Sequence, residues 1–331
     1  MESMHARKVV PRREFLGRSF GCMSCLPAMA ALGALQARRV FAQAPLTTNV
    51  DTRPWARLER IADRVWAVVS TPLDGNNTTL SNGGLIAGDK EVLAIEGFAS
   101  LAGGAWLCEA AKQLIGRYPT YVVLTHFHND HSSGLPAYQH GNEPLRIVST
   151  PATRRLLVDR EVSAPPREIM RKVLLPDYMV LDSTAPFRIE LGGRVVTIHS
   201  HSGHTPSDLT VEIHDPHVIW AGDLLWNGIF PNYVDAIPTR LSQSVRDVLK
   251  APEAICVPGH GTIARAVDFK DYLNLIDYVG EFAKRMIANG VPAAKAAETF
   301  QLPESLQKWA LFSKNYPTVA LTAWEREMAG K

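Results

Sequence analysis

"VVLTHFHNDHSSG" (residues 122–134) ends an apolar, β-branched run in His126, His128, Asp130 and His131. Four groups that bind divalent ions, crowded into so short a stretch, make either a metal site or a polar surface turn. The spacing favours metal. While the chain stays extended, side chains alternate faces, so His126, His128 and Asp130 point one way. His131 is out of phase and needs a bend, and Asn129-Asp130 followed by Ser-Ser-Gly supplies the turn chemistry. One face then serves one ion and the bend offers ligands to a second. Imidazole and carboxylate donors suit zinc, with iron or manganese as alternatives.

Three more strand ends finish in the same donor types: "HSHSGHTPSD" (199–208), "WAGDLL" (220–225) and "VPGHG" (257–261). Pockets form where loops leave strand ends, so these segments are placed to meet the first. Between them, alternating and β-branched runs read as strands at 64–70, 120–125, 145–150 and 254–261. Hairpins are expected over 83–97, 187–200 and 208–223, each around a Gly or Asp-Pro turn. Helical spacing runs through 101–118, 152–160 and 240–250, and from about 266 onward the chain looks helical, with an amphipathic stretch at 272–290. Residues 161–183, with Pro165, Pro166 and Pro176, read as an irregular excursion. Strand pairs and helices alternate twice. That pattern predicts an α/β fold of two β-sheets packed inside two helical layers, with an open α/β sheet as the alternative.

The 331-residue chain has the composition of an ordinary globular protein, 46% hydrophobic and 21% charged. Its net charge of +2 is unevenly spread. Residues 1–42 hold seven Lys/Arg against Glu2 and Glu14; taking that +5 from +2 leaves −3 for the rest. A body at −3 offers no electrostatic case for nucleic acid. "PRREFLG" (11–17) resembles the twin-arginine export signal of bacteria. An Ala-rich apolar stretch (25–35) follows, too short to serve as a permanent membrane anchor, and "VFA" (40–42) supplies small-residue cleavage chemistry near Ala42. The expectation is export to the periplasm by the twin-arginine machinery. Cys22 and Cys25 would leave with the leader; Cys108 and Cys256 remain, as buried thiols or as a disulfide. The organisation expected is a signal at 1–42, an approach segment at 43–60, a metal-binding domain at 61–265 and a helical tail at 266–331 packed on it. The tail covers a sheet or presents Trp309, Phe312 and Trp324 to a partner; oligomeric state stays open.

His-x-His-x-Asp-His, then Gly-His-Thr-Pro, then Gly-Asp, then Pro-Gly-His-Gly resembles the metallo-β-lactamase-fold hydrolases, which include glyoxalase II-type thioesterases, lactonases and metallo-β-lactamases. The likeness covers residues 60–265 and implies a four-layer αββα sandwich of two mixed sheets flanked by helices. Carried over, it assigns His126, His128 and His204 to one metal, Asp130, His131 and His260 to a second, and Asp223 as the bridge. Exported β-lactamases often place a cysteine ligand where this chain has Asp223. Glu96 stands where the superfamily usually has an aspartate. The neighbourhood is also similar to exported metallohydrolases associated with quinoprotein systems.

The resemblance implies two Zn2+ ions sharing a water, acidified toward neutrality, that attacks a small ester, thioester, lactone or amide carbonyl. Asp130 would orient the nucleophile and shuttle its proton. Tyr233 either donates to the oxyanion, as a tyrosine does in lactonases, or packs beside Pro231. Trp226 and Phe230 are candidates for an apolar pocket wall, and Asn76 and Asn77 for substrate contact from the polar loop 72–84. His201 is an alternative ligand to His204; His140, His214 and His217 sit in turn-like contexts. Three other readings stand: a single-iron persulfide dioxygenase using His126, His204 and Asp223, a metallo-β-lactamase, and a non-catalytic binding protein; the flavin domain of a flavodiiron reductase finds no room in the helical tail, and the positive charge of nuclease relatives is missing.

Overall fold

The computed structural model describes residues 45–140, 145–163, 178–179 and 185–330. The N-terminal leader, with Cys22 and Cys25, and most of the 161–183 excursion lie outside the described residues. Residues 46–331 form one compact unit.

Among the described residues, fourteen strands make two mixed sheets. The first runs in sequence order from β1 (Thr48–Arg53), β2 (Ala56–Ala62), β3 (Val65–Ser70), β4 (Gly83–Ala87) and β5 (Val92–Ile95) to β6 (Tyr121–Val123), β7 (Arg146–Ser149) and β8 (Tyr178–Met179). Strands β1 to β5 pair antiparallel; β5 to β8 are parallel. The parallel half needs crossovers, which α1 (Leu101–Ile115) and α3 (Pro151–Ser163) provide. The second sheet comprises β9 (Phe187–Glu190), β10 (Val195–His201), β11 (Asp208–His214), β12 (His217–Asn227), β13 (Ile255–Gly261) and β14 (Ala264–Arg265). Only β12 and β13 are parallel there, joined through α4 (Pro238–Val248).

Strand alternation explains the layering. Ile86, Leu93, Ile95, Val123 and Val148 of the first sheet meet Ile198, Val211, Val218, Trp220 and Val257 of the second in a dry inter-sheet core. The opposite faces of β3 and β4, through Trp66, Val68 and Leu85, pack on Leu107, Cys108 and Ala111 of α1. Outside the second sheet, Leu225, Ile229 and Cys256 pack under α4, α5 (Lys270–Ala288) and α7 (Tyr316–Met328), with α6 (Ala293–Thr299) between the last two. Three apolar interfaces between four layers make the expected αββα sandwich.

The tail belongs to this body. Trp309 and Trp324 are buried in the outer core, so it covers the second sheet. The segment 43–60 differs from expectation: it contributes β1 and β2. Both faces of β1 (TNVDTR) are largely exposed at the sheet edge, which removes the apolar alternation that betrays a strand. Cys108 and Cys256 are free thiols in separate cores, and burial pushes both up to about 12. Among the described residues no helix is long and apolar enough to cross a membrane.

Candidate metal centre

All four motif segments end at one edge of the sandwich. Strand β6 delivers Thr125 and His126 from the buried centre of the first sheet. The chain then bends earlier than extended phasing predicts. A single helical turn, α2 (Asn129–Ser132), starts after His128, and Asp130 and His131 project from it. Ser132 fixes this turn by donating to the His128 carbonyl at 2.9 Å. His126 and His128 face one donor group, while Asp130, which extended phasing sets on their side, faces the other with His131.

His204 sits in the loop after β10. Asp208, at the start of β11, accepts from His204 N (3.1 Å), Thr205 N (3.1 Å) and Thr205 Oγ1 (2.7 Å), which locks that loop. Asp223 comes from an irregular stretch of β12 where Gly222 takes φ +50 beside Thr125. His260 follows Gly259 on β13, and Gly259 has no space for a side chain, because a Cβ there would lie 1.9 Å from Asp223 Oδ1.

The donor atoms form two groups. In the first, His128 Nδ1 is 3.1 Å from His126 Nε2 and 3.0 Å from His204 Nε2, and His204 Nε2 is 3.2 Å from Asp223 Oδ2. In the second, His260 Nε2 is 3.2 Å from Asp130 Oδ2, and His131 Nε2 is 3.1 Å from Asp223 Oδ1. Asp223 thus presents one oxygen to each group. A tetrahedral ion with bonds of about 2.0 Å needs donors roughly 3.3 Å apart. Both groups meet that spacing. His131 Nε2, His260 Nε2 and Asp223 Oδ1 are buried without a hydrogen-bond partner, a costly arrangement for a chain alone and the one a cation resolves. The residues therefore fit two divalent ions.

The outer nitrogens are held to match. His126 Nδ1 lies 3.0 Å from Thr125 Oγ1, whose hydroxyl donates to Glu96 Oε1 at 2.5 Å; this leaves Nε2 for the cluster. His128 Nε2 meets Asp235 Oδ2 at 2.9 Å, which frees Nδ1. His131 Nδ1 faces Glu96 Oε1 at 3.1 Å. Glu96 itself sits at φ +74 with Phe98 at φ +61, and this left-handed backbone aims its carboxyl inward.

The electrostatics of the cluster follow from burial and from the charges packed together there. Burial pushes the imidazoles of His126 and His204 down, His204 to about 3, so both are neutral. Burial also opposes charge on His131 and His260, but Asp223 outweighs it, aided by Glu96 for His131 and by Asp130 for His260. His131 rises well above the usual histidine range and His260 to about 9. Burial raises Asp130, yet His131 and His260 outweigh it and hold its carboxyl at about 2.

A cavity of about 390 Å3 opens over the cluster, with His128, Asp130, Asp223 and His260 on its floor. Trp226 and Asn77 line it, and Trp226 stacks on His260 at 4.1 Å. Phe230 and Tyr233 do not. Both are buried in the outer apolar core, Phe230 against Phe300, because the chain after β12 turns under the tail. Tyr233 is a packing residue, and the oxyanion role does not fall to it. Asn76 turns inward to accept from Thr78 N and Oγ1 and braces its loop. His201 points to the outer face and bonds Thr210 at 3.1 Å, so it is no alternative to His204. His140 stacks on Tyr118 at 3.9 Å.

Sequence reasoning missed several contributors. Phe312, Ser313 and Tyr316 reach the cavity wall because Ala310 pairs with Gly228 and Phe230 through backbone bonds of 2.9 and 2.8 Å. Asn82 accepts from Ser70 N and donates to the Pro258 and Gly261 carbonyls, all at 2.8 Å, tying the first sheet to the His260 turn. No local pattern marks these long-range partners, nor Asp235.

The family model described as "Metallo-beta-lactamase superfamily" matches residues 79–260, the span from the polar loop to His260. The chain belongs to the metallo-β-lactamase superfamily. It is 26% identical over 172 residues to "Acyl-coenzyme A thioesterase MBLAC2" of Homo sapiens, a match spanning 45% of this chain and 59% of that protein. The protein of the same description from Gallus gallus is 26% identical over 136 residues, 37% of this chain and 47% of that one. Among solved structures, a metallo-β-lactamase from Erythrobacter litoralis superposes with TM-score 0.55 at 16% identity, covering 70% of this chain and 100% of its own. One from Hirschia baltica gives 0.52 at 16%, covering 67% and 97%. These two likenesses establish the shared superfamily fold.

Proposed function

We propose that this protein is an exported, dinuclear zinc hydrolase of small carbonyl esters, with acyl thioesters as the favoured class. The observation that carries the proposal is the pair of donor groups sharing Asp223, one carboxylate oxygen each. Superfamily membership supports metal-dependent hydrolysis, and the thioesterase relatives favour sulfur-linked acyl substrates. A single-iron dioxygenase leaves Asp130, His131 and His260 as three close donors without a task. The bridging position holds an aspartate and no cysteine, which speaks against β-lactams as the main substrate.

Bound there, two divalent ions supply an acidified water and a Lewis-acid contact for the substrate carbonyl. The chain's own residues do the rest. Asp130 is the carboxylate of the second group that reaches the cavity, and it stays ionised at neutral pH, ready to take a proton from the attacking water and pass it to the leaving group. Trp226, Leu80 and Phe312 form an apolar wall that excludes bulk water and accepts an acyl chain. Tyr316 lines the same cavity. Burial and the charges of Asp223 and Asp130 push its hydroxyl up to about 12, so it keeps its proton and can donate to a developing oxyanion.

Export rests on the paired Arg12-Arg13, the apolar stretch and the Ala42 cleavage chemistry, and it places the mature chain in the periplasm. Partners are then the export machinery and a small-molecule substrate; a body at −3 speaks against nucleic acid. The test compares turnover of an acyl-coenzyme A thioester, an acyl lactone and a chromogenic cephalosporin by the zinc-loaded chain. Thioester turnover, abolished by chelation and restored by zinc, is expected. A fully loaded protein that cleaves none of the three contradicts the proposal.

A further inference from the structure

At the opposite end of β12 from Asp223, on the outer face of the second sheet, stands a second donor cluster. Glu212 and His214 share one face of β11, and His217 of β12 is the register partner of His214 across a hairpin closed by a cis Asp215-Pro216 bond. His199 reaches the group from β10, the strand on the other side of β11. Glu212 is the hub. Its Oε1 is 2.5 Å from His217 Nε2 and 3.9 Å from His214 Nδ1, and its Oε2 is 2.9 Å from His199 Nε2. The donors of Glu212, His214 and His217 lie within 4.8 Å of one another, and those rings are 5.1 Å apart, centre to centre.

We propose that Glu212, His214 and His217, with His199 holding the other carboxylate oxygen of Glu212, form a separate, peripheral site for one borderline divalent ion of the zinc or nickel kind. Two histidines with one carboxylate are a facial donor set such ions take, with water completing the shell. Glu212 Oε1 lies 2.5 Å from His217 Nε2 and 3.9 Å from His214 Nδ1, on either side of the roughly 3.3 Å edge of a tetrahedral ion, so small side-chain rotations suffice. The backbone is pre-organised, since three paired strands carry the four residues and only side-chain freedom is lost on binding. The site is also accessible. His199, Glu212 and His214 line an open depression of about 540 Å3, and the His214 side chain is 67% exposed. Six residues of strand separate His217 from Asp223, ~20 Å, so this ion takes no part in the chemistry at the inner cluster. It clamps the β11–β12 hairpin.

The test is equilibrium dialysis of the full chain against buffered Zn2+, counting ions per chain in wild type, in His214→Ala/His217→Ala and in Asp223→Ala. The wild type is expected to hold one more ion than the double variant, bound at least ten-fold more tightly than any ion the double variant retains at its surface. Asp223→Ala should keep that outer ion while losing inner ones. Equal counts in wild type and double variant overturn the proposal. Glu212→Gln and X-ray absorption of the outer ion in Asp223→Ala provide a route independent of the double variant's folding. Fewer than two histidine neighbours around that ion, or unchanged binding in Glu212→Gln, also overturns it.

Discussion

Gly259→Ala should disable the inner centre without touching any ligand. A methyl at this position would lie 1.9 Å from Asp223 Oδ1, 2.7 Å from Gly222 C and 2.9 Å from Asp223 N. Unstrained contacts of carbon settle near 3.5 Å, so the carboxylate must retreat by ~1.5 Å or β13 must part from β12. Overpacking of this kind costs about 1–3 kcal/mol. For a domain of this size that is a fall in Tm of roughly 2–4 °C per kcal/mol. The larger effect is on function, since a misplacement of about 1 Å at a reacting centre costs ~100-fold in rate. Gly116→Ala is the control. Gly116 also sits at a demanding φ of +82, at the end of α1, but nothing lies within 4 Å of its Cβ position. It should lose about 1–2 kcal/mol from the left-handed conformation, with zinc content and rate intact. Thermal melting, elemental analysis and initial rates on the two variants separate strain from displacement. Gly259→Ala with a full zinc complement and a wild-type rate would refute the reasoning.

Asp235→Asn removes the carboxylate that orients His128 and should weaken binding of one inner ion by about 10–100-fold while the fold persists, read by chelator competition. Unchanged affinity would show that His128 needs no such partner. Tyr316→Phe should lower kcat by at least about ten-fold with little change in Tm, whereas Tyr233→Phe, in the apolar core, should leave kcat within about two-fold. The reverse pattern would restore Tyr233 to the oxyanion role. Zinc binding should release protons: His260, raised to about 9, and His131, raised further, are protonated at neutral pH, and an ion must displace both protons. Apparent affinity therefore climbs with pH below about 9, by up to roughly two powers of ten per unit between about pH 6 and pH 8. Calorimetry in buffers of different ionisation heat measures the released protons, and a pH-independent affinity would contradict the assignment.

The segments of the inner cluster were legible in the sequence because strong apolar strand signals run there into Gly or Asp turns, and the family resemblance then assigned His126, His204, Asp223 and His260 as ligands. The position of Asp130 was found with the wrong local geometry, since a single helical turn leaves no periodicity to read. The edge strand β1 escaped because it buries almost nothing. Tyr233 packs in the outer core and Tyr316 lines the cavity, for a long-range reason. Both are aromatic residues near a proline, and only the pairing of Ala310 with Gly228 and Phe230 brings residues 312–316 to the cavity. Likewise Asn82, one polar residue in a polar loop, acquires its task from a turn 176 residues away.

Asp223, with one carboxylate oxygen toward each donor group, should join two ions in one centre. Elemental analysis of the chain in the His214→Ala/His217→Ala background, which isolates the inner cluster, tests it most directly. Two zinc ions per chain, with both lost or weakened together in Asp223→Ala, is the predicted result. One ion per chain, or a second ion that Asp223→Ala leaves untouched, would contradict it.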